Sequence, residues 1–96
     1  MKLLSSVTVR LLIMVKNITS LSEFDRELAT FKGLIVVDFY ADWCGPCKAI
    51  APFINELEVK YPEVRFLKVN VDECQDVAAP RQIKSLPTFQ FILKGT

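Results

Sequence analysis

Residues 34–40 read Leu-Ile-Val-Val-Asp-Phe-Tyr, an apolar run that a single acid, Asp38, interrupts. β-Branched and aromatic side chains at successive positions predict a central strand that is buried on both faces. Apolar stripes with helical spacing lie on either side of this run, and residues 64–71 and 88–93 form further strand-like segments. Strands that alternate with helices predict an α/β domain.

A first helix is predicted between a short strand at residues 15–19 and the central strand. Ser20 and Glu23 form a capping box, in which the hydroxyl and the carboxylate satisfy free N–H groups at the start of a helix. An apolar stripe then continues to a helix end near Gly33. The members of this stripe are Leu21, Phe24, Leu28 and Phe31.

A second helix is predicted after the central strand. Four apolar side chains are expected to point inward from it: Ile50, Ile54, Leu57 and Tyr61. Pro52 lies inside this helix, where it removes one backbone hydrogen bond and predicts a kink. Residues 73–82 predict a short irregular helix that is broken around Pro80.

The composition excludes several classes of protein. The chain has 96 residues, enough for one domain, and 51% of them are apolar, too many for a disordered chain. A net charge of +1 gives no electrostatic footprint for nucleic acid, and Arg10 splits the longest apolar stretch, so no membrane span is predicted. Because the chain has no histidine, its three cysteines cannot complete a four-ligand zinc site, and no metal site is predicted.

Residues 1–13 differ from the remainder of the chain and are set apart from a domain at residues 14–96. They carry Lys2 and Arg10, several hydroxyl side chains and no acid. This composition resembles that of a mitochondrial presequence. The resemblance is weak, because a presequence usually carries more than two basic residues and confines its apolar residues to one side of a helix. The alternatives are an extension ahead of a natural start at Met14 and an additional structural strand.

The segment between the central strand and the second helix carries the chemistry. It reads Asp-Trp-Cys-Gly-Pro-Cys-Lys at residues 42–48. If Cys44 caps the helix, Cys47 is its third residue, and the free N–H groups and positive dipole end favour the Cys44 thiolate. Gly45 and Pro46 shape the turn. Such a dithiol can attack a disulfide with one sulfur and resolve the mixed disulfide with the other. The alternative, half of a zinc site, has no second half in this chain.

The hexapeptide Trp43-Cys44-Gly45-Pro46-Cys47-Lys48 resembles the active-site motif of the thioredoxins. Further marks of that family follow in order: Asp38 in the central strand, Lys68 in the third strand, and Leu86-Pro87-Thr88 before the fourth. Residues 72–78 and 87–91 are most similar to animal-type thioredoxins. The resemblance covers about residues 14–96. It implies a thioredoxin fold, a three-layer α/β/α domain with a central mixed sheet.

The resemblance also implies how the dithiol works. Cys44 is expected to be the attacking thiolate and Cys47 the less exposed resolving thiol, and together they form the redox-active disulfide. Asp38 is expected to be buried, with its pKa raised by desolvation, and to accept the Cys47 proton directly or through water. Lys68 is expected to moderate that shift. The alternatives are that Asp38 only satisfies local backbone donors and that Lys68 is a solvated strand lysine.

Five residues are expected to bind the target protein. Trp43, Gly45 and Pro46 are expected to form a flat rim around the attacking sulfur, although Trp43 could also be a plain core aromatic. Leu86 is expected to offer backbone hydrogen bonds to an extended target segment. Pro87 is expected to follow a cis peptide bond and to face the dithiol.

Cys74 matches a position at which animal-type thioredoxins carry an additional, regulatory cysteine. It is expected to be either a half-buried small apolar residue or a site of intermolecular oxidation. The other regulatory positions of the family correspond to Arg81 and Ser85 here, so no second intramolecular disulfide is expected.

The end of the chain sets a further expectation. The sequence stops at Thr96, after the fourth predicted strand, whereas the family continues with a fifth strand and a final helix. The last strand, residues 88–93, is therefore expected to lie at a sheet edge and to permit self-association.

The function implied by the resemblance is that of a protein-disulfide reductase. The chain itself is expected to bind no cofactor, because NADPH and flavin are used by its partner, thioredoxin reductase. Disulfide-containing target proteins are the other expected partners, and neither nucleic acid nor membrane is expected. The alternative function is a truncated, non-catalytic interaction form. A cytoplasmic location is expected, or a mitochondrial one if residues 1–13 act as a targeting segment.

Overall fold

The structure is a computed structural model that describes residues 16–93. The elements in chain order are β1 (Lys16–Ile18), α1 (Leu21–Thr30), β2 (Leu34–Tyr40), α2 (Gly45–Lys60), β3 (Arg65–Asn70), α3 (Gln75–Ala78), a 3₁₀ turn (Ala79–Arg81) and β4 (Thr88–Leu93). This order confirms the α/β prediction. The predicted extension at residues 1–13 and the end of the chain at residues 94–96 lie outside the described residues.

The strands form one mixed sheet in the order β1-β3-β2-β4. β1 and β2 run parallel to β3, and β4 runs antiparallel to β2. β2 is therefore an inner strand with neighbours on both sides, and five of its seven residues are buried. Asp38 in β2 lies level with Lys68 of β3 on one side and with Phe89 of β4 on the other.

Two apolar clusters cover the two faces of this sheet and confirm the three-layer prediction. On one face, Phe24 of α1 and Val77 of α3 pack with Val37 and Leu67. On the opposite face, Ile54 of α2 packs with Val36 and Phe66, and Ile50 and Leu57 extend this contact. The alternation of side chains along β2 sends odd-numbered residues to the first cluster and even-numbered residues to the second. Asp38 is even-numbered and thus lies beneath α2.

The first helix begins with the predicted capping box. The Ser20 hydroxyl accepts the Glu23 N–H at 3.1 Å, and the Glu23 carboxylate accepts the Thr19 N–H at 2.8 Å. The first bond satisfies a backbone donor that the helix itself leaves free, and the second fixes Thr19, the residue before the cap, to the first turn of the helix. The helix ends at Thr30, three residues before Gly33. The next residue, Phe31, is extended, with φ −83° and ψ 126°.

The predicted inward position of Tyr61 is wrong. α2 ends at Lys60, and Tyr61 is its C-terminal cap with φ −120° and ψ 71°, so its side chain leaves the apolar stripe. The ring is exposed, with the Lys60 ammonium 5.6 Å from its centroid. Pro52 lies inside α2, which is a continuous helix from Gly45 to Lys60.

β4 lies at an edge of the sheet within residues 16–93. Its Ile92 is buried in the first cluster, whereas 69% of Phe91 is exposed on the other face. The predicted position of this strand at an edge is therefore confirmed for the described sheet. None of the helices in this part of the chain has the length and apolar character needed to cross a membrane.

One carboxyl group, that of Glu58, is buried between α2 and the sheet. Only 2% of the residue is exposed, and neither carboxylate oxygen has a hydrogen-bond partner within the described chain. Burial raises the pKa of Glu58 from 4.5 to about 7, and the Asp38 charge adds to this effect while the Lys68 ammonium opposes it. An ionised carboxylate here reduces the stability of the fold.

Changing Glu58 to Gln tests this conclusion. Between pH 4.5 and about 7 the folded protein binds more protons at Glu58 than the unfolded chain does. The free energy of unfolding should therefore fall as the pH rises through this window. The amide does not titrate and should remove this loss, which amounts to about 2–3 kcal/mol.

Chemical denaturation at a series of pH values measures the difference between the two proteins. The exposed Glu56 of the same helix provides the matched control, because Glu56→Gln makes the same chemical change in solvent. If the curves of native protein and Glu58→Gln run parallel from pH 4.5 to 7, Glu58 carries no burial penalty.

Candidate functional site

The turn between β2 and α2 places Cys44 at the start of a helix. Cys44 caps α2 in an extended conformation, with φ −84° and ψ 106°, and its Sγ accepts the Cys47 N–H at 3.1 Å. The Cys44 N–H donates to the Ala41 carbonyl at 3.2 Å, which closes the turn. Pro46 lies in the first turn of the helix, where no backbone donor is lost. The predicted placement of both cysteines is confirmed.

Cys44 and Cys47 form a disulfide, with their Cα atoms 5.3 Å apart. The expectation that Cys47 is the less exposed of the two is not met in this disulfide form. Cys44 is 3% exposed and Cys47 is 7% exposed. The Cys44 sulfur is turned toward Cys47 and the helix start, and Val71 and Leu86 pack against the pair. Both sulfurs are thus shielded while they are bonded to each other.

An open groove of about 650 Å³ lies beside Cys44. Trp43, Gly45 and Pro46 line one part of it, and Leu86 lines another. Four of the five predicted target-binding residues therefore meet at one surface. The fifth, Pro87, follows a cis peptide bond as predicted but does not line the groove.

Trp43 forms the exposed rim of this groove. The side chain is not a core aromatic, since 70% of the residue is exposed. Its indole Nε1 donates to the Asp72 carboxylate at 2.8 Å, a contact with the segment that follows β3. Sequence reasoning missed Asp72, because nothing in its spacing from Trp43 indicates the contact.

Asp38 and Cys47 face the same small cavity on the inner side of the site. Both line a small cavity of about 140 Å³, together with Lys68. Asp38 is 6% exposed, and its Oδ1 has no hydrogen-bond partner among residues 16–93. Burial raises the pKa of Asp38, and the Lys68 ammonium partly opposes that rise. The predicted rise of the Asp38 pKa and the predicted opposing effect of Lys68 are confirmed. The alternative, in which Asp38 only accepts hydrogen bonds from local backbone N–H groups, is not supported at Oδ1, which accepts none.

Lys68 is half-buried and lies level with Asp38 in the adjacent strand. Its ammonium is 5.0 Å from the centroid of the Tyr40 ring, a cation–π distance. The side chain is therefore held against the site and is not simply solvated.

Cys74 is more deeply buried than expected. Only 2% of the residue is exposed, and its thiol donates to the Ile18 carbonyl at 3.3 Å. Burial raises the pKa of this thiol, and the charges of Asp76, Glu73 and Glu23 act in the same direction. Cys74 packs in the cluster beneath α1, away from the groove. These contacts favour the interpretation of Cys74 as a small apolar residue over its interpretation as a site of intermolecular oxidation.

Glu58 was also missed by sequence reasoning, although a signal for it exists. Cys47, Ala51, Ile54 and Glu58 follow one another at spacings of four, three and four, which places them on one helix face. A carboxyl at the end of a buried stripe is expected to be buried as well.

The arrangement supports reversible dithiol–disulfide chemistry. A disulfide at a helix start opens on a groove at one side and shares a small cavity with a buried carboxyl at the other. In the described part of the chain, no group of three or more cysteine and acidic side chains is placed to hold a metal ion.

Comparison with known proteins identifies the family. The sequence model of the thioredoxin family matches residues 15–96. The chain belongs to the thioredoxin family. It is 55% identical to horse thioredoxin over 83 residues, covering 85% of this chain and 79% of that protein. Human thioredoxin is 54% identical over the same length and with the same coverage. These mammalian relatives agree with the predicted similarity to animal-type thioredoxins.

Solved thioredoxin structures share the fold. Thioredoxin of Plasmodium falciparum has a TM-score of 0.81 and 44% identity, covering 84% of this chain and 78% of its own. Oxidised mitochondrial thioredoxin 3 of Saccharomyces cerevisiae has a TM-score of 0.80 and 40% identity, covering 84% of this chain and 76% of its own. Together with the Cys44–Cys47 pair, membership of this family shows that the chain functions in dithiol–disulfide exchange.

Alkylation of the reduced protein should distinguish the three cysteines. Near neutral pH, iodoacetamide should modify Cys44 first, because the start of α2 stabilises its thiolate. Cys74 should react last, since it is buried and the pKa of its thiol is raised. A time course with peptide mapping by mass spectrometry measures the order. The urea-unfolded chain is the control, in which the three rates should converge; fastest labelling of Cys47 or Cys74 in the folded protein would refute the assignment.

Proposed function

We propose that this chain is a protein-disulfide reductase whose Cys44–Cys47 disulfide is re-reduced by a flavin- and NADPH-dependent thioredoxin reductase. The observation that carries the proposal is the position of that disulfide, at a helix start and beside an open groove. In this proposal the electrons reside on the two sulfurs, and NADPH and flavin are used only by the reductase. Pro46 between the cysteines favours reduction of targets over their oxidation.

The first step is attack on the target. The reduced Cys44 thiolate attacks one sulfur of the target disulfide, and a mixed disulfide forms while the second target sulfur leaves as a thiolate. The start of α2 supports the thiolate, because its free N–H groups and dipole favour negative charge at this position. The leaving thiolate takes a proton from water.

The second step resolves the mixed disulfide. Asp38 accepts the proton of the Cys47 thiol, directly or through a water molecule, and the Cys47 thiolate attacks the Cys44 sulfur. The Cys44–Cys47 disulfide forms, and the remaining target sulfur is released as a thiolate. The shared cavity and the raised pKa of Asp38 support this role, because a more basic carboxylate accepts a thiol proton more readily.

The groove beside Cys44 supports a role in target binding. Trp43 and Pro46 offer a flat surface beside the disulfide, and Leu86 offers backbone groups to an extended target segment. One structural neighbour, 38% identical, comes from work on a yeast mitochondrial 1-Cys peroxiredoxin resolved by glutathione and thioredoxin systems. A peroxiredoxin is accordingly one class of target to test.

The proposed location is the cytoplasm, with mitochondria as the alternative if residues 1–13 act as a targeting segment. Fusion of residues 1–13 to a fluorescent protein separates the two locations. Import of the fusion into mitochondria would establish the alternative.

Insulin reduction tests the proposed function. Purified thioredoxin reductase, NADPH and insulin should consume NADPH when the chain is added, because the reductase returns Cys44–Cys47 to the dithiol. Cys47→Ser should stop turnover and accumulate mixed disulfides at Cys44, since the resolving sulfur is absent. Cys74→Ser is the matched control and should retain turnover. Target binding without NADPH consumption would instead support the non-catalytic interaction form.

Replacement of Asp38 by Asn tests the proton transfer. The amide cannot accept a proton, so the resolving step should slow by about tenfold to a hundredfold, near the lower range for loss of a general base. Initial attack by Cys44 should change less. Single-turnover kinetics with a chromogenic disulfide separates the two steps, and equal slowing of both would contradict the role.

Self-association through β4 is a further proposal, supported by the edge position of this strand in the described sheet and by the exposed Phe91. Sedimentation under reducing conditions should show mass increasing with concentration. Phe91→Lys should reduce that increase, whereas Val59→Lys, at another exposed apolar position on α2, should not. A monomer at all concentrations would refute self-association.

A further inference from the structure

The groove beside Cys44 carries a charge that the proposed reaction does not use. Most of the residues that line it are apolar, among them Val71 and Ile83 in addition to those already described. Gln75 and Ser85 add neutral polar groups. Lys84 is the only charged residue among the described residues that line the groove. A molecule that fills this groove therefore meets an apolar surface with one positive charge in it.

The Lys84 ammonium is free to bind such a molecule. Lys84 follows the 3₁₀ turn and precedes Leu86, the residue proposed to bind the target backbone, by two positions. The side chain is exposed, and no acidic side chain among residues 16–93 forms an ion pair with it. Its charge is therefore not neutralised within the described part of the chain.

The acids closest to the groove in the fold do not line it. Asp72, Glu73 and Asp76 lie in the segment that follows β3, and none of them belongs to the lining. The Asp72 carboxylate accepts the indole N–H of Trp43 at 2.8 Å, so it is occupied at the rim. A segment inside the groove thus contacts the cation, whereas these acids lie outside the lining.

We propose that Lys84 is a specificity-determining residue, which selects extended target segments that carry an aspartate or a glutamate close to the attacked disulfide. This inference deepens the proposed function by naming a class of target, and it rests on the assignment of the groove to target binding. Because the remaining lining is largely apolar, the preferred target is an apolar segment with one acid near its cysteine.

The acid must lie close to the attacked cysteine, because Cys44 and Lys84 line the same groove. An extended segment advances about 3.3 Å per residue, so three residues cover about 10 Å. The screening length at physiological salt is about 8 Å, and a charge farther away contributes little. We therefore expect the selection to act on acids within about three residues of the cysteine.

Reduction of designed peptides tests the selection. Each peptide is apolar, with one cysteine joined to an uncharged chromogenic thiol, which is released when a thiolate attacks the peptide sulfur. Versions of the peptide carry Asp, Asn or Lys two residues before or two residues after the cysteine. A version with Asp six residues away is the distance control. Each rate is divided by the rate with dithiothreitol, which corrects for the effect of the charge on the disulfide itself.

The reduced native protein should react about threefold to tenfold faster with the Asp peptide than with the Lys peptide, the range expected for an exposed charge pair. The Asn peptide should be intermediate, and the distant Asp should have no effect. Lys84→Glu should reverse the order. Lys32→Glu is the matched control, because it makes the same change at an exposed residue before β2, whereas the dithiol follows the opposite end of that strand. Equal rates with the Asp and Lys peptides would overturn the inference and leave the proposed reductase activity standing.

A binding measurement distinguishes failure of the inference from failure of the proposed function. Trp43 is the only tryptophan of the chain and lies on the rim of the groove, so its fluorescence reports on occupancy. The oxidised protein is titrated with the same peptides after serine replaces their cysteine, and the Asp peptide should bind more tightly by a similar factor. If that preference is present but no peptide is reduced, the reductase proposal fails and the selection by Lys84 stands. If no peptide is bound or reduced, the groove is not a target site and both are overturned.

Discussion

The burial of a carboxyl in the central strand is the constraint on which the site depends. β2 is covered on both faces, and Asp38 faces the layer beneath α2, where an ionised group has little solvation. Lys68 in the next strand is the nearest compensation. Because the same strand leads into the turn that ends at Cys44, the acid and the dithiol are fixed to one rigid element. Their relative position is therefore set by the sheet and does not depend on a mobile loop.

Much of this arrangement follows from local sequence. The apolar run of β2, the capping box of α1 and the cysteine spacing at the start of α2 each act over a few residues, so the pattern predicts them directly. The inner position of Asp38 follows from the alternation of side chains along a strand. The cis bond before Pro87 and the role of Lys68 came from resemblance to a family, since local pattern alone indicates neither.

The parts that were missed depend on where a helix ends and on distant contacts. Tyr61 continues the apolar spacing of α2, but the helix stops one residue earlier and turns the ring to solvent. The depth of Cys74 depends on Ile18, far away in the sequence, and the rim contact of Trp43 depends on Asp72. Glu58 is one of two acids in α2, and its helical spacing from Cys47 and Ile54 indicates the buried face, but the depth of its burial depends on the sheet that packs against that face.

The strand order has a consequence for synthesis of the chain on the ribosome. β2 lies between β3 and β4, both of which follow it in the sequence, and β4 is the last element described. The helix that carries the cysteines can form early, but the sheet beneath it closes only when residues 88–93 have left the exit tunnel. Pairings between distant segments form late and slowly. During synthesis the cysteines of α2 are therefore in place before the sheet encloses the carboxyl of Asp38.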